Sequence, residues 1–140
     1  MISSRSKSIN LRKLVRERAN GICKYCLLHE DDALLPHEPD HIVATKHRGE
    51  TNEDNLAWTC FVCNLTKGSD LSSIDTQTKL VVRLFNPRRD EWNDHFEIDA
   101  EGFVNPRTDI GRVTEFLLRM NRPELQEIRK ALAKIGRKPK

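Results

Sequence analysis

The sequence predicts a small α+β domain, and three observations carry that expectation. An amphipathic helical stretch lies near the start, short extended segments bounded by turn residues run through the middle, and four cysteines sit in two close pairs. At 140 residues the chain fits one domain with a short appended piece. Hydrophobic residues make up 37% and charged residues 32%, so the core is modest and a staple would add to its stability.

The first helix is expected over residues 9–20. Ile9, Leu11, Leu14 and Val15 make an apolar stripe with Arg12, Lys13, Arg16 and Arg18 to its sides, and Asn20-Gly21 stops it. Cys23-Lys24-Tyr25-Cys26 is a tight knuckle. Residues 27–39, with Pro36 and Pro39, read as loop. Residues 41–44 and 56–59 read as two short strands joined by a polar loop containing Gly49, and a short helix follows Cys60 and ends near Gly68. Further on, 80–85 reads as a strand ended by Asn86-Pro87, 95–98 and 103–104 as a hairpin about Glu101-Gly102, and 109–120 as a helix carrying Val113, Phe116, Leu117 and Met120. Pro123 opens a last helix with Leu125, Ile128, Leu132 and Ile135 on one face. This divides the chain into a basic helix (1–22), a core (23–70), an extension packed on the core (71–135) and an unstructured tail (136–140).

The net charge of +3 is unevenly spread. Residues 1–20 hold six Lys/Arg against one acid and residues 119–140 eight against two, so the remaining ten basic and eighteen acidic residues leave the middle at −8. Basic ends around an acidic middle suit a polyanion gripped from its flanks with a cation at the centre; solvated tails are the plainer alternative. No stretch is long and apolar enough to cross a membrane, and the basic start has no apolar run behind it, so a soluble, cytoplasmic protein is expected.

Cys23/Cys26 and Cys60/Cys63 form two Cys-x-x-Cys pairs separated by 33 residues. Together they supply a complete tetrahedral shell for structural Zn²⁺. Two disulfides fit a reducing cytoplasm poorly, and a redox pair would need only one knuckle. A closed four-sulfur site staples a fold and leaves catalysis to other residues.

Within the spacer lie Asp40-His41-Ile42 and, fourteen residues after His41, Asn55; Asn64 directly follows the last cysteine. The whole run, Cys23-x-x-Cys26, Asp40-His41-Ile42, Asn55-Leu56 and Cys60-x-x-Cys63-Asn64-x-x-Lys67, resembles the HNH endonucleases. That family includes restriction enzymes, homing endonucleases and phage resolvases, which share the ββα-metal (His-Me finger) fold. The motif covers residues 23–68, a little under a third of the chain. The resemblance implies a ββα-metal core stapled by a four-cysteine zinc site, with an N-terminal helix and a C-terminal strand and helix extension. It implies a one-metal endonuclease on double-stranded DNA that leaves a 5′-phosphate and a 3′-hydroxyl. His41 would be the general base, Asp40 and Asn64 the ligands of a catalytic Mg²⁺ or Mn²⁺, and Asn55 the residue that ties the inter-strand loop and so holds His41. Two features depart from many members: no proline follows His41-Ile42, and the loop has one glycine, Gly49, where a pair is common. Asn64 stands in the third position instead of histidine.

Residue chemistry supports the same roles. Imidazole accepts a proton near neutral pH, and Asp and Asn offer the hard oxygens that Mg²⁺ and Mn²⁺ prefer. Adjacent residues on a strand point to opposite faces, so a bulge or a strand end is expected at Asp40-His41. A catalytically silent zinc module that binds nucleic acid is the competing reading. Lys67 is either a DNA-backbone contact or a solvated lysine, and Arg88 and Arg89 are either phosphate contacts or members of surface ion pairs. His29, His37 and His95 are expected on the surface, His47 in a solvated loop, and Trp58 and Trp92 in packing roles.

Overall fold

The computed structural model describes residues 4–136, with residues 4–9 described by backbone alone. Helix α1 (Ser4–Arg18) begins earlier than the sequence suggests. Asn20 and Gly21, both left-handed (φ 53° and 73°), end it, and Gly21 N–H closes onto Arg16 O at 3.2 Å. Its buried stripe is narrower than expected. Leu11, Val15 and Ala19, four residues apart, pack on Leu56 and Trp58, while Leu14 faces outward; the side chain of Ile9 lies outside the described residues.

Strand β1 (Glu38–His41) pairs antiparallel with β2 (Leu56–Thr59), from Glu38 opposite Thr59 to His41 opposite Leu56. The first strand therefore lies three residues before the expected 41–44. Pro39 is tolerated because β1 has β2 as its one partner and needs no amide on its other edge. The ladder stops after His41 because the Asn55 side chain takes up the backbone of Val43. The pairing is regular, so the distortion expected at Asp40-His41 takes the form of a strand end. Helix α2 (Phe61–Lys67) follows, with the Cys60 sulfur accepting from Cys63 N–H at its first turn and Gly68 closing its end.

The extension adds two hairpins and three helices. β3 (Ser72–Ile74) pairs with β4 (Val81–Arg83), and β5 (Phe96–Ile98) with β6 (Val104–Pro106). The short α3 (Trp92–His95) precedes β5, and α4 (Asp109–Leu117) and α5 (Pro123–Lys134) complete the chain. The expected strand 80–85 shortens to β4: Leu80 and Val81 are exposed, whereas Leu84 and Phe85 leave the ladder to enter the core. Phe116 and Ile135, expected on apolar helix faces, are exposed, while Val113, Leu118, Met120 and Leu125 are buried. The expected tail lies outside the described residues from 137 onward. No helix among the described residues is long and apolar enough to cross a membrane.

One core joins the two parts. Cys23, Tyr25, Cys26, Cys60 and Cys63 share a buried cluster with Phe85, Phe96, Val104, Leu118, Met120 and Leu125 of the extension. A buried ion pair fastens the β3–β4 hairpin to α4. Asp75 accepts from Arg112 Nε and Nη2 at 2.9 Å each and from Thr78 Oγ1 at 2.8 Å. The Arg112 bonds above all hold this carboxyl far below the ordinary carboxylate range. A depressed folded value stabilises above the unfolded carboxyl pKa of ~3.9 and is lost as pH falls through the folded value. Asp75→Asn is therefore expected to melt earlier than the parent at neutral pH, by a margin that shrinks once the pH drops below ~4. Parallel thermal melts at neutral and acidic pH check this.

Candidate active site and metal centre

The two knuckles bring four buried sulfurs within 4.8 Å of one another, with Cys26 and Cys60 Sγ 3.6 Å apart. A tetrahedral shell with metal–sulfur bonds of about 2.3 Å has sulfur–sulfur edges of roughly 3.8 Å, so the cluster fits one ion. Local backbone forms the first knuckle: Leu27 is left-handed (φ 67°), its N–H meets Cys23 O at 2.9 Å, and Cys23 N–H meets Leu28 O at 2.9 Å. The second knuckle is the first turn of α2. Hydrogen bonds from the other three thiols hold the Cys60 thiol well below its usual value.

Two guanidiniums from the start and middle of α5 close over this cluster. Arg122, 5% exposed, brings Nη2 to 3.6 Å from Cys60 Sγ. Arg129, 2% exposed, donates to Cys26 O at 3.0 Å, Met120 O at 2.7 Å and Gly102 O at 3.3 Å. Burial opposes both charges, and the Cys26 sulfur heads the opposing attractions in each case. Four thiolates around a divalent ion carry two negative charges; two buried arginines supply two positive ones. Sequence reasoning missed this pair. Its only signal was a spacing of seven, which puts both arginines on one helix face.

The second candidate centre lies where β1 ends against α2. Asp40 and His41 are consecutive, and their side chains leave the strand on opposite faces. Lys67 Nζ crosses from α2 to meet Asp40 Oδ2 at 3.4 Å and His41 O at 3.0 Å. At 2% exposure this ammonium is not a solvated one, which corrects that alternative for it. Asn64 lies one turn before Lys67 on the same helix face, and its amide has no hydrogen-bond partner among the described residues. Asp40 Oδ2 is buried with no hydrogen bond, and burial pushes the carboxyl up from the ordinary range, with Lys67 pulling it part of the way back. A carboxylate oxygen and an amide oxygen are each hard donors of the kind that Mg²⁺-class cations take.

His41 Nε2 lies 2.8 Å from Thr51 Oγ1, a partner that the sequence pattern did not reveal. The loop between them is fixed by Asn55. Its Oδ1 accepts from Val43 N–H at 3.0 Å, and its Nδ2 donates to Val43 O at 2.9 Å and Glu50 O at 2.8 Å. Gly49 permits that closure: a Cβ there would fall 1.7 Å from Val43 O and 2.9 Å from Asn55 Nδ2. A single glycine thus meets the steric need of this loop.

The other histidines differ from one another. His37, expected on the surface, is buried and hydrogen-bonds Leu28 O at 2.9 Å through Nε2. His95 is half-buried against Phe85, with Nδ1 2.6 Å from Thr108 Oγ1. His29 is half-buried and accepts from Asp31 N–H, and His47 is exposed, its Nε2 3.1 Å from Ser69 O. Trp58 is buried with Nε1 donating to Glu30, and Trp92 donates to Tyr25 O at 2.8 Å. Arg88 and Arg89 sit on the turn after Asn86 and form no ion pair among the described residues.

The four-thiol cluster thus has its first knuckle before the strand pair and its second at the start of the following helix. Residues 23–70 match the family model described as HNH endonuclease, and this segment is an HNH endonuclease-family domain. The chain is also 27% identical over 146 aligned residues to the Septu protein PtuA of Bacillus mycoides (strain KBAB4), an alignment covering 85% of this chain and 20% of that protein. The chain thus spans about a fifth of the length of the curated relative it matches. No solved structure matches it significantly.

Proposed function

We propose that this chain is a metal-dependent endonuclease that hydrolyses phosphodiesters of double-stranded DNA, with His41 as general base. The observation that carries the reading is the end of β1. There an imidazole held by Thr51 follows directly in the chain on a carboxylate with a buried oxygen that lacks a hydrogen bond. In this reading the strand, loop and α2 together form a ββα-metal core. Asp40 and Asn64 would hold Mg²⁺ or Mn²⁺, which when bound would supply counter-charge to a phosphate and its leaving oxygen. The four cysteines would hold Zn²⁺.

The chain's own residues then have separable tasks. With Nε2–H donated to Thr51, His41 keeps the Nδ1 lone pair to take a proton from water. Asn55 acts as a positioning residue, since its three hydrogen bonds fix the loop that presents Thr51. Lys67 ties β1 to α2 through the carbonyl of His41. The basic segments at the two ends would grip the phosphate backbone.

The ion pair between Lys67 and Asp40 favours a second reading, a module that binds nucleic acid without cutting it, because the ammonium competes with a cation for the carboxylate. Plasmid incubated with zinc-loaded protein separates the two. Relaxed and linear products that need added Mg²⁺ or Mn²⁺, and that Asn64→Ala reduces, support the nuclease. Retention of plasmid without cutting under every metal and salt condition supports the binding module.

A further inference from the structure

A cavity of about 790 Å³ opens between the Cys23–Cys26 knuckle and the segment 85–93 that follows β4. The edge of β2 that β1 does not use gives Trp58 O to Lys24 N–H at 2.8 Å and Leu56 O to the Arg18 guanidinium. Lys24 and Arg88 both line the cavity, beside Phe85, Pro87 and Trp92. Its size falls in the ordinary range for small-ligand sites, roughly 300–1,000 Å³.

The charges of this cavity are unbalanced. Lys24 is half-buried, and neither its ammonium nor the Arg88 side chain has a hydrogen-bond or ion-pair partner among the described residues; Arg88 Nε is fully buried without one. The charge of Arg88 bears on both Lys24 and Arg18, adding to the effect of burial on each. The acids nearby are mostly committed. Asp90 takes both amino groups of Arg83, at 2.7 and 3.0 Å, and Asp99 takes backbone amides and Asn105, which leaves Glu91. Cations held together in a half-buried cavity repel one another and cost stability unless an anion joins them.

We propose that this cavity is a phosphate-binding subsite, in which Lys24 and Arg88 clamp the phosphate of a nucleotide unit, Arg18 reinforces their field, and Pro87 and Trp92 flank the sugar and base. The inference rests on the reading that the chain engages nucleic acid, but not on its cutting it. The phosphate belongs either to a bound strand or to a free nucleotide, and the chemistry of recognition is the same for both.

The test uses zinc-loaded full chain carrying His41→Ala, so that binding is read without cleavage. The probes are a short fluorescein-labelled duplex, the same single strand, and AMP. In that background Lys24→Gln/Arg88→Gln is expected to weaken a strand probe ~10-fold or more. The slope of log affinity against log salt should fall by about 0.9 for each duplex phosphate that the variant no longer neutralises. Weakening confined to AMP would assign the subsite to a free nucleotide and still support it. Arg88→Gln alone should keep or raise the thermal midpoint, since it removes a repelled cation. Unchanged affinity for all three probes in a folded double variant would overturn the proposal. So would a marked fall in thermal midpoint with Arg88→Gln, which would make this arginine a structural strut. A parent chain that fails to cut DNA leaves these binding outcomes readable, so the two readings fail separately.

Discussion

Chelation of the zinc-loaded protein is expected to abolish its cooperative thermal transition, including that of the extension. The four sulfurs share one buried cluster with Phe85, Phe96, Leu118 and Met120, so an ion held by them would sit inside the main core. Its removal would let the thiolates take up protons, which takes the counter-charge from Arg122 and Arg129, at 5% and 2% exposure, and leaves two buried cations to be solvated. Apparent binding energies for structural zinc are about 10–16 kcal/mol at neutral pH, against a whole-domain stability of about 5–15 kcal/mol. A zinc ion bound there would therefore be worth as much as the fold. Metal analysis should find one zinc per chain, and circular dichroism and calorimetry should both lose their transition when the ion is removed or Cys60 is changed to serine. A chelated protein that melts as before would show that the thiols pack without it.

Lys67→Met is expected to destabilise the chain by about 3–5 kcal/mol, the usual cost of removing one partner from a buried ion pair. The substitution removes the ammonium that holds the Asp40 carboxylate at 3.4 Å and the His41 carbonyl at 3.0 Å. Asp40 would then keep a buried charge that burial already disfavours. Adding Asp40→Asn should recover part of the loss, since the uncompensated carboxylate goes with it, and urea denaturation of the four proteins measures the coupling. Additive losses would mean that the pair does not interact and that Lys67 acts through its alkyl chain alone.

The parts legible in the sequence are those that local chemistry dictates. β2 matches its expected span because Leu-Ala-Trp-Thr is mostly apolar, buried throughout and preceded by the polar run that ends at Asn55. The four cysteines are a cluster because pairs with two residues between them have few other uses in a reduced chain. β1 is displaced from its expected place because the pattern after His41 looks strand-like while its backbone is claimed by the Asn55 side chain, a bond between residues twelve apart. β3 has no sequence signal because Ser72, Ser73 and Ile74 are mostly exposed and carry no apolar alternation. Lys67 looks like an ordinary helix-end lysine, and only the crossing of α2 over β1 shows that its ammonium is enclosed. Thr51, Arg122 and Arg129 share that difficulty: hydroxyl and guanidinium groups acquire meaning from what tertiary packing sets beside them.

In the proposed nuclease, the imidazole at the end of β1 takes the proton from the attacking water. Single-turnover cleavage of plasmid DNA in Mg²⁺ or Mn²⁺ decides this, with the parent and His41→Ala both carrying one zinc and melting alike. Replacing the general base should slow cleavage by about 10²–10⁴-fold, with binding of uncut DNA unchanged. Equal rates for the two proteins would contradict the assignment of His41.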